Sequence, residues 1–539
     1  MTRTKRVRFG KLVVATVTSG MLLAGCAGGA NQEAENAGSS KESGSVQVSG
    51  ILGGQGNGGT SVAGGALTYA SYAPVVSLDP AKTQVTGATG GTELAAIYDL
   101  LMRYNAETGK YDPQLAKGLD ESADNLTWTL TLRENVKFSD GTPLDSAAVV
   151  ASINRYNTKR GANNEIWTST VKSAEAAGPS SVVFTLNRPW AEFPAMLSFG
   201  HGVIVAPSSY AAEPFTPVGA GAFTVERFSP PDELVLASKP DYWGGAPKLD
   251  QVKFVSIQGE QAKIDSLATG GVQMAYLRNS ETVEVAKGKF PGYAEFISLS
   301  MVGQINNRVG HPGADVRVRQ AMNYAIDPAV LDQRARGGKG MPGSEIFQRW
   351  SMWHNGIAPI GLDPAKSREL LDAAKKDGYD GHVTYLGTQD PNGQAAALAV
   401  QAMLQSVGFT VTVEYAASTA DMVKRLYADH NYDLALGGNG LLDAAPFLRL
   451  YSALHSTSAN NTVGVASPEV DAMLDAIQAA GNGEDKKAAL ADLQTLFNEQ
   501  VPIMVWGAGA NFVPWSENVY GLMPSLDSII LLDEAWIKK

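Results

Sequence analysis

HVTYLGTQDPNGQAAALAVQAMLQSVGFTVTVEYAASTADMVKRLYADHNYDLAL, residues 382–436, decides the fold class. HVTYL (382–386) is a short strand run. The stretch 394–407 carries helical spacing and stops at Gly408, and FTVTVEY (409–415) alternates as a strand. Residues 420–427 are helical again, and YDLAL (432–436) is a third strand. Strands alternating with helices of this length predict βαβ units, because a parallel partner is reached only through a crossover. The expectation is an α/β protein with a mostly parallel sheet.

Downstream, Ser467 and Pro468 open a helix with Val470, Met473, Leu474 and Ile477 on one face. Residues 490–500 form its partner, and PIMVW (502–506) returns as a strand. Upstream, ALTYASY (66–72) reads as a strand. Thr92 caps a helix whose Leu94, Ile97, Tyr98, Leu101 and Met102 recur at helical spacing. LTWTLTLR (126–133) is the clearest period-two run, with Leu126, Trp128, Leu130 and Leu132 on one face and threonines on the other. Ser139-Asp140-Gly141-Thr142-Pro143 is turn chemistry, after which Asp145 caps a helix with Val149, Val150 and Ile153 inward.

With 539 residues, 44% of them hydrophobic, the chain is globular and long enough for two or three domains or one lobed unit. Lys plus Arg is 43 and Asp plus Glu is 54, a net charge of −11, which argues against nucleic acid as a partner because that affinity rests on neutralising phosphates. One Cys excludes a disulfide framework and a Cys-rich metal site, and the six His show no HExxH arrangement. No GxSxG elbow and no GxxxxGK[ST] loop occur, so an enzyme reading, at most a secreted hydrolase with paired carboxylates, stays remote.

The N-terminus accounts for the single cysteine. Arg3, Lys5, Arg6, Arg8 and Lys11 precede a mainly apolar run to Gly25, too short to span a bilayer comfortably. Leu23-Ala24-Gly25-Cys26 resembles a bacterial lipobox, which implies a signal peptide over 1–25, a lipidated Cys26 and anchoring to the outer face of the cell membrane (or a periplasmic location). Residues 26–65, rich in Gly, Ser, Asn and Glu, read as a flexible linker. Within them Gly54-Gln55-Gly56-Asn57-Gly58-Gly59 matches GxGxxG, but without the flanking strand and helix a dinucleotide site needs it is a decoy.

Three further stretches carry a family resemblance: LTWTLTLRENVKFSDGTPLDSAAVVASINRY (126–156), VGAGAFTVERFSPPDELVLASKPDYWGGAPKLDQVKF (218–254) and HPGADVRVRQAMNYAIDPAVL (311–331). They resemble, in order, signatures of the large extracytoplasmic solute-binding proteins of the peptide/nickel class of ABC importers, family 5, and the likeness covers 66–539. Physically the motifs are scaffold: Tyr242-Trp243-Gly244-Gly245 reads as core packing at a strand corner, Asp315 as a helix cap, Arg317 and Arg319 as structural.

The resemblance implies a two-lobed periplasmic-binding-protein-like fold of the large class II, or cluster C, type, with a discontinuous first lobe and a hinge of crossing strands. Lobe I would span 66–305, with an inserted subdomain at about 105–220, and return over 508–539. Lobe II would span 306–507, with the crossing near Ile305-Asn306-Asn307. The implied function is capture of a small solute, a di- or oligopeptide first, by a monomer that delivers it to ABC permease subunits with cytoplasmic ATPases. Alternatives are a nickel complex, an aromatic or other organic acid, or an oligosaccharide.

No cofactor and no resident metal are expected. Candidate ligand contacts are Arg308 and Arg349 for a carboxylate, and Trp167, Trp350 and Trp353 as aromatic walls. His354 and His455 would be donors to a nickel complex. In peptide-binding members a GWxxDYxDP-like loop anchors the ammonium. Matching Gly438 to its Gly puts Asn439 at the Trp and Leu442 at the anchoring Asp, and keeps Pro446. Asp443, one residue late, is the candidate anchor through a re-registered loop.

Overall fold

The computed structural model of the chain describes residues 49–55, 58–481 and 483–539. The signal peptide over 1–25 and the lipidation site Cys26 lie outside the described residues. His382–Gly387, Thr410–Tyr415 and Leu434–Gly437 are strands, joined by the helix Pro391–Ser406 and by a turn of helix at Thr419–Val423 that continues through Lys424–Ala428. The first helix starts ahead of its apolar spacing. Asp390 accepts the amide of Gly393 at 3.0 Å, and Pro391 occupies the first helical position, where a missing N–H costs nothing.

His382–Gly387 pairs in parallel with both other strands, as the crossovers require. Within this sheet, parallel pairing is confined to these three strands. Leu434–Gly437 pairs antiparallel with Gly292–Ile305, which pairs antiparallel with Met504–Pro514, so the seven-stranded sheet is mixed. The reason is connectivity: the chain leaves the first lobe along Gly292–Ile305 and comes back along Met504–Pro514. At their junction Asn306 Nδ2 donates to the carbonyls of His430 (2.9 Å) and Tyr432 (3.1 Å). Asn307 Nδ2 donates to that of Pro502 (3.1 Å), so Asn306 ties the outgoing chain to the segment before Leu434–Gly437 and Asn307 ties it to the returning one.

The first lobe holds a five-stranded sheet in the order Met274–Ala275, Ala66–Ser71, Gln251–Ser256, Glu233–Ser238, Phe223–Ser229. Within 105–220 lies a four-stranded antiparallel sheet, Ala116–Glu121, Thr127–Leu132, Ser181–Leu186 and Val171–Ala176. In Thr127–Leu132 the buried Trp128, Leu130 and Leu132 alternate with half-buried threonines. Asp145 Oδ1 accepts the amide of Ala148 at 2.9 Å, and Gly141 takes the positive φ (+85°) its turn needs. Tyr242 and Trp243 both donate to the buried Asp99, at 2.7 and 3.0 Å. Arg317 is paired with Asp315 and Asp377, and Arg319 donates to the carbonyls of Gln500 and Gly313, each at 2.8 Å.

Two findings modify the expected layout. Gly50–Leu52 is a strand paired antiparallel with Gly292–Ile305, and Gln55 exchanges hydrogen bonds with the backbone of Leu522 at 2.7 and 3.1 Å. The flexible-linker reading of 26–65 is therefore corrected for its described part from Ser49 to Gln55. An otherwise unpaired edge of a long strand accepts these residues, and Ile51 packs on the core.

The second finding concerns 441–500. Leu441 pairs with Ser298, and the helices that follow, Pro446–Leu454, Pro468–Ala479 and Glu484–Gln500, share their core with 105–220. Phe447 meets Trp190 edge-on (centroids 5.4 Å apart), and Lys486 lies 3.1 Å from Glu192 with both side chains buried. The separate core of the second lobe gathers instead around 318–335 and 371–411.

Candidate functional site

A cavity of about 520 Å3 lies where the parts meet. Segments 81–86, 156–166 and 199–200 of the first lobe form one wall, 438–462 with Tyr427 the other. Gln304 comes from the outgoing crossing strand, and Asp527 from the C-terminal return.

The first wall is built from a cap. Asp79 accepts the amide of Ala81 at 3.1 Å, starting the turn Pro80–Lys82, and its carboxylate takes two bonds from Arg155 (2.9 and 2.7 Å) on the helix Ser146–Thr158. Burial alone would raise this carboxyl, but the Arg155 guanidinium holds it below its ordinary value. The segment then passes so close to the C-terminal return that a Cβ at Gly87 would sit 2.4 Å from the carbonyl oxygens of Asp527 and Ser528. Gly87 N donates to Asp527 O at 2.9 Å across that gap.

The second wall is a loop laid on the crossing strand. Asn439 N donates to Leu299 O at 2.9 Å, and a Cβ at Gly438 would meet Ser300 O at 2.5 Å, so only glycine lets the loop approach this far. Asn439 lines the cavity, and its Nδ2 is a buried donor without a partner among the described residues. Gln304 Oε1 accepts from Thr462 Oγ1 at 3.3 Å.

Five ionised side chains line the cavity among the described residues: Lys82, Arg160, Arg449, Glu165 and Asp527. Both acids are engaged. Glu165 accepts the amide of Ala459 from across the cleft at 3.0 Å, and Asp527 Oδ2 lies 3.4 Å from Arg449 Nη2. Lining charge is therefore cationic in excess, which favours a solute bearing carboxylate.

Of the residues singled out from the sequence, the structure puts Asn439 on the cavity wall, and Leu442 beside it. Asp443 is not there. Its Oδ1 accepts from Ser351 Oγ (2.8 Å), its Oδ2 from Met352 N (3.0 Å), and its carbonyl from Trp353 Nε1 (2.8 Å), so it holds the 351–353 turn. Burial pushes its carboxyl up to about 6. The structure thus places Asp443 in the 351–353 turn and off the cavity wall, with each carboxylate oxygen accepting one bond within that turn.

Arg308 is likewise spent on backbone, donating to the carbonyls of Thr462 (2.6 Å) and Asn461 (3.1 Å) behind the wall. Trp167, 5% exposed, stacks on His201 at 4.4 Å, and Trp353, 4% exposed, is core. Arg349 and Trp350 line a different cavity, against Phe296 and the helix Ser280–Lys287. His354 bonds the carbonyl of Phe347, and His455 stacks on Tyr451. Among the described residues no group of three or more His, Cys, Asp or Glu is placed to hold a metal.

The residues that do line the cavity, Gln304, Arg449 and Asp527 among them, come from distant segments with no shared motif. Only the Gly438-Asn439 loop had a signal in the sequence.

Two α/β lobes, joined by a pair of antiparallel crossing strands and enclosing a cavity beside them, define a two-lobed solute-binding protein. The chain belongs to the bacterial extracellular solute-binding proteins, family 5, whose model for the middle region matches residues 110–461. It is similar to the glutathione-binding protein GsiB of Salmonella paratyphi A, 30% identical over 273 residues, or 49% of this chain and 53% of that protein. The chain thus spans about half the length of the glutathione-binding relatives it matches. A putative ABC transporter peptide-binding protein of Brucella ovis is 26% identical over 467 residues, 81% of this chain and 85% of that one. Among solved structures, the ABC transporter-associated periplasmic binding protein DppA of Helicobacter pylori, in complex with the peptide STSA, has the same fold. The TM-score is 0.74 at 24% identity, covering 89% of this chain and 99% of that one.

Proposed function

We propose that this protein is the solute-capturing subunit of an ABC importer. It encloses a short peptide between its lobes and hands it to permease subunits driven by cytoplasmic ATPases. The observation that carries this reading is the composition of the cavity wall: segments packed on the first lobe supply most of it, the outgoing crossing strand supplies Gln304, and Tyr427 comes from beside the second lobe's sheet, so a solute bound there favours the closed form over the open one. A volume of about 520 Å3 falls within the ordinary range for small-molecule sites. The peptide class is supported by amide donors and acceptors on the wall, Asn439 and Gln304, which suit a peptide backbone, and by the peptide- and glutathione-binding relatives. A non-peptide organic acid is the second reading, favoured by the cationic excess and by Leu442 at the anchoring position. We assign no catalytic step.

Saturable 1:1 binding of a short peptide, followed by calorimetry, is the expected result. It should come with a smaller radius of gyration and a higher melting temperature. At ligand one hundredfold above Kd, mass action adds about 2.7 kcal/mol to stability. Scattering curves unchanged at saturation would count against closure around the solute.

The same reading makes the protein a monomer exported behind a signal peptide over 1–25 and lipidated at Cys26, held at the outer face of the membrane. Among the described residues no helix is long and apolar enough to cross a membrane. Cys26→Ser should move the protein from the membrane fraction to the soluble one. Equal partitioning of variant and wild type would sink the anchor.

A further inference from the structure

Asp527 and Arg449 face each other across the cavity, Asp527 from the C-terminal return and Arg449 from the helix Pro446–Leu454. Asp527 is aimed deliberately. It and Ser528 both stand at φ +57°, in the left-handed region that L residues enter at a cost, and such strain collects at functional sites. Glu295, buried on the outgoing crossing strand, holds them there, accepting Asp527 N at 3.1 Å and Ser528 Oγ at 2.6 Å. Asn511 Nδ2, on the returning strand, adds a bond to Ser528 Oγ at 3.3 Å. Both crossing strands therefore brace the loop that presents this one carboxylate.

The contact with Arg449 is single and long, between partly exposed side chains, so it adds little by itself and is easily parted. Burial pushes the Asp527 carboxyl up, Arg449 and Arg278 oppose that push, and a ligand ammonium set against the carboxylate adds to them.

An ammonium and a carboxylate on one carbon are themselves adjacent opposite charges. Set between Asp527 and Arg449, they replace one weak contact by two charge-assisted ones. An ordinary α-linked peptide cannot do this, because its ammonium and carboxylate lie at opposite ends of the chain. We infer that the site reads a free α-amino-acid head group, its ammonium on Asp527 and its carboxylate on Arg449, as carried by a γ-linked glutamyl peptide. This rests on the peptide reading above, and it places the ammonium anchor on the C-terminal return instead of the loop at 438–446.

The test is calorimetry on the full chain in detergent, with reduced glutathione and its α-linked isomer as probes. Wild type should bind the γ-linked tripeptide about tenfold or more tighter than the α-linked one. Asp527→Asn and Arg449→Gln should each remove that preference by weakening the γ-linked probe alone, with melting temperatures confirming that both variants fold. Equal affinity of wild type for the two isomers overturns the head-group assignment and leaves peptide capture standing, as does an Asp527→Asn variant that binds the γ-linked probe as wild type does. If wild type binds neither isomer, the peptide reading falls, and this inference with it.

Discussion

Lys486→Met should lower the free energy of unfolding by about 3–5 kcal/mol, the usual cost of removing one partner from a buried ion pair. Lys486 is 0% and Glu192 2% exposed, their charges stand 3.1 Å apart, and among the described residues neither has another hydrogen bond to fall back on. Burial raises the Glu192 carboxyl, and Lys486 is the cation that opposes it. Without that ammonium the carboxylate is left in apolar surroundings beside Trp190 and Phe193, and must either take a proton or unfold the contact. Replacing both, as Lys486→Met with Glu192→Leu, should restore most of the loss, because an apolar pair of similar volume has no charge to desolvate. Denaturant titration of the two variants and the wild type reads this directly. A single variant within about 0.5 kcal/mol of wild type, the scale of an ordinary surface substitution, would mean that the 441–500 helices do not hold their core against 105–220 in solution.

The second large effect is a pair of opposing pH dependences. Burial raises Glu93 to about 7 from 4.5, although the Ser71 hydroxyl, 2.6 Å away, pulls the other way. Between those values the folded protein keeps a proton that the unfolded chain has released. The stability from Glu93 is therefore full below pH 4.5 and is lost as pH rises through 7, on the order of 3 kcal/mol in all.

His201 behaves oppositely. Enclosed by Trp167 and Tyr156, it is lowered by burial to about 3 from 6.5. Its contribution is full above pH 6.5 and is lost on acidification, again on the order of 3 kcal/mol by pH 4. Between pH 4.5 and 6.5 the two slopes oppose each other at about 1.4 kcal/mol per pH unit each. Glu93→Gln should make stability fall more steeply with acid than in wild type, and His201→Phe should make it fall more steeply with base. Urea midpoints over a pH series decide this. A variant offset from wild type by the same amount at every pH would mean that the group does not titrate on unfolding.

What was legible in the sequence was local. The strands and helices of 382–436 announced themselves because a half-buried element writes its period into the chain, and Asp145, Asp315 and Ser467 announced helix starts because a cap needs its own residue type. The strand Gly292–Ile305 left no such mark. It is buried almost throughout, so apolar and polar positions do not alternate, and its importance lies in which strands flank it. Gly50–Leu52 was hidden for a related reason: a short run in a Gly-rich stretch has no fold of its own and is a strand only because an edge receives it.

The site divides the same way. Sequence alone determined the α/β class, the family, and a loop at 438–446 that lacks the expected acid at Leu442, since these depend on residue type and order. Tertiary structure decided the rest. It turned Asp443 toward Ser351 and Met352, sank Trp167 and Trp353 into the core, and committed Arg308 to backbone carbonyls. It brought Asp527 to Arg449, residues separated by the whole of the returning strand and the helices before it. A charge acquires a role only from what stands opposite it, and in a cavity assembled from distant segments that neighbour is set by packing rather than by distance along the chain.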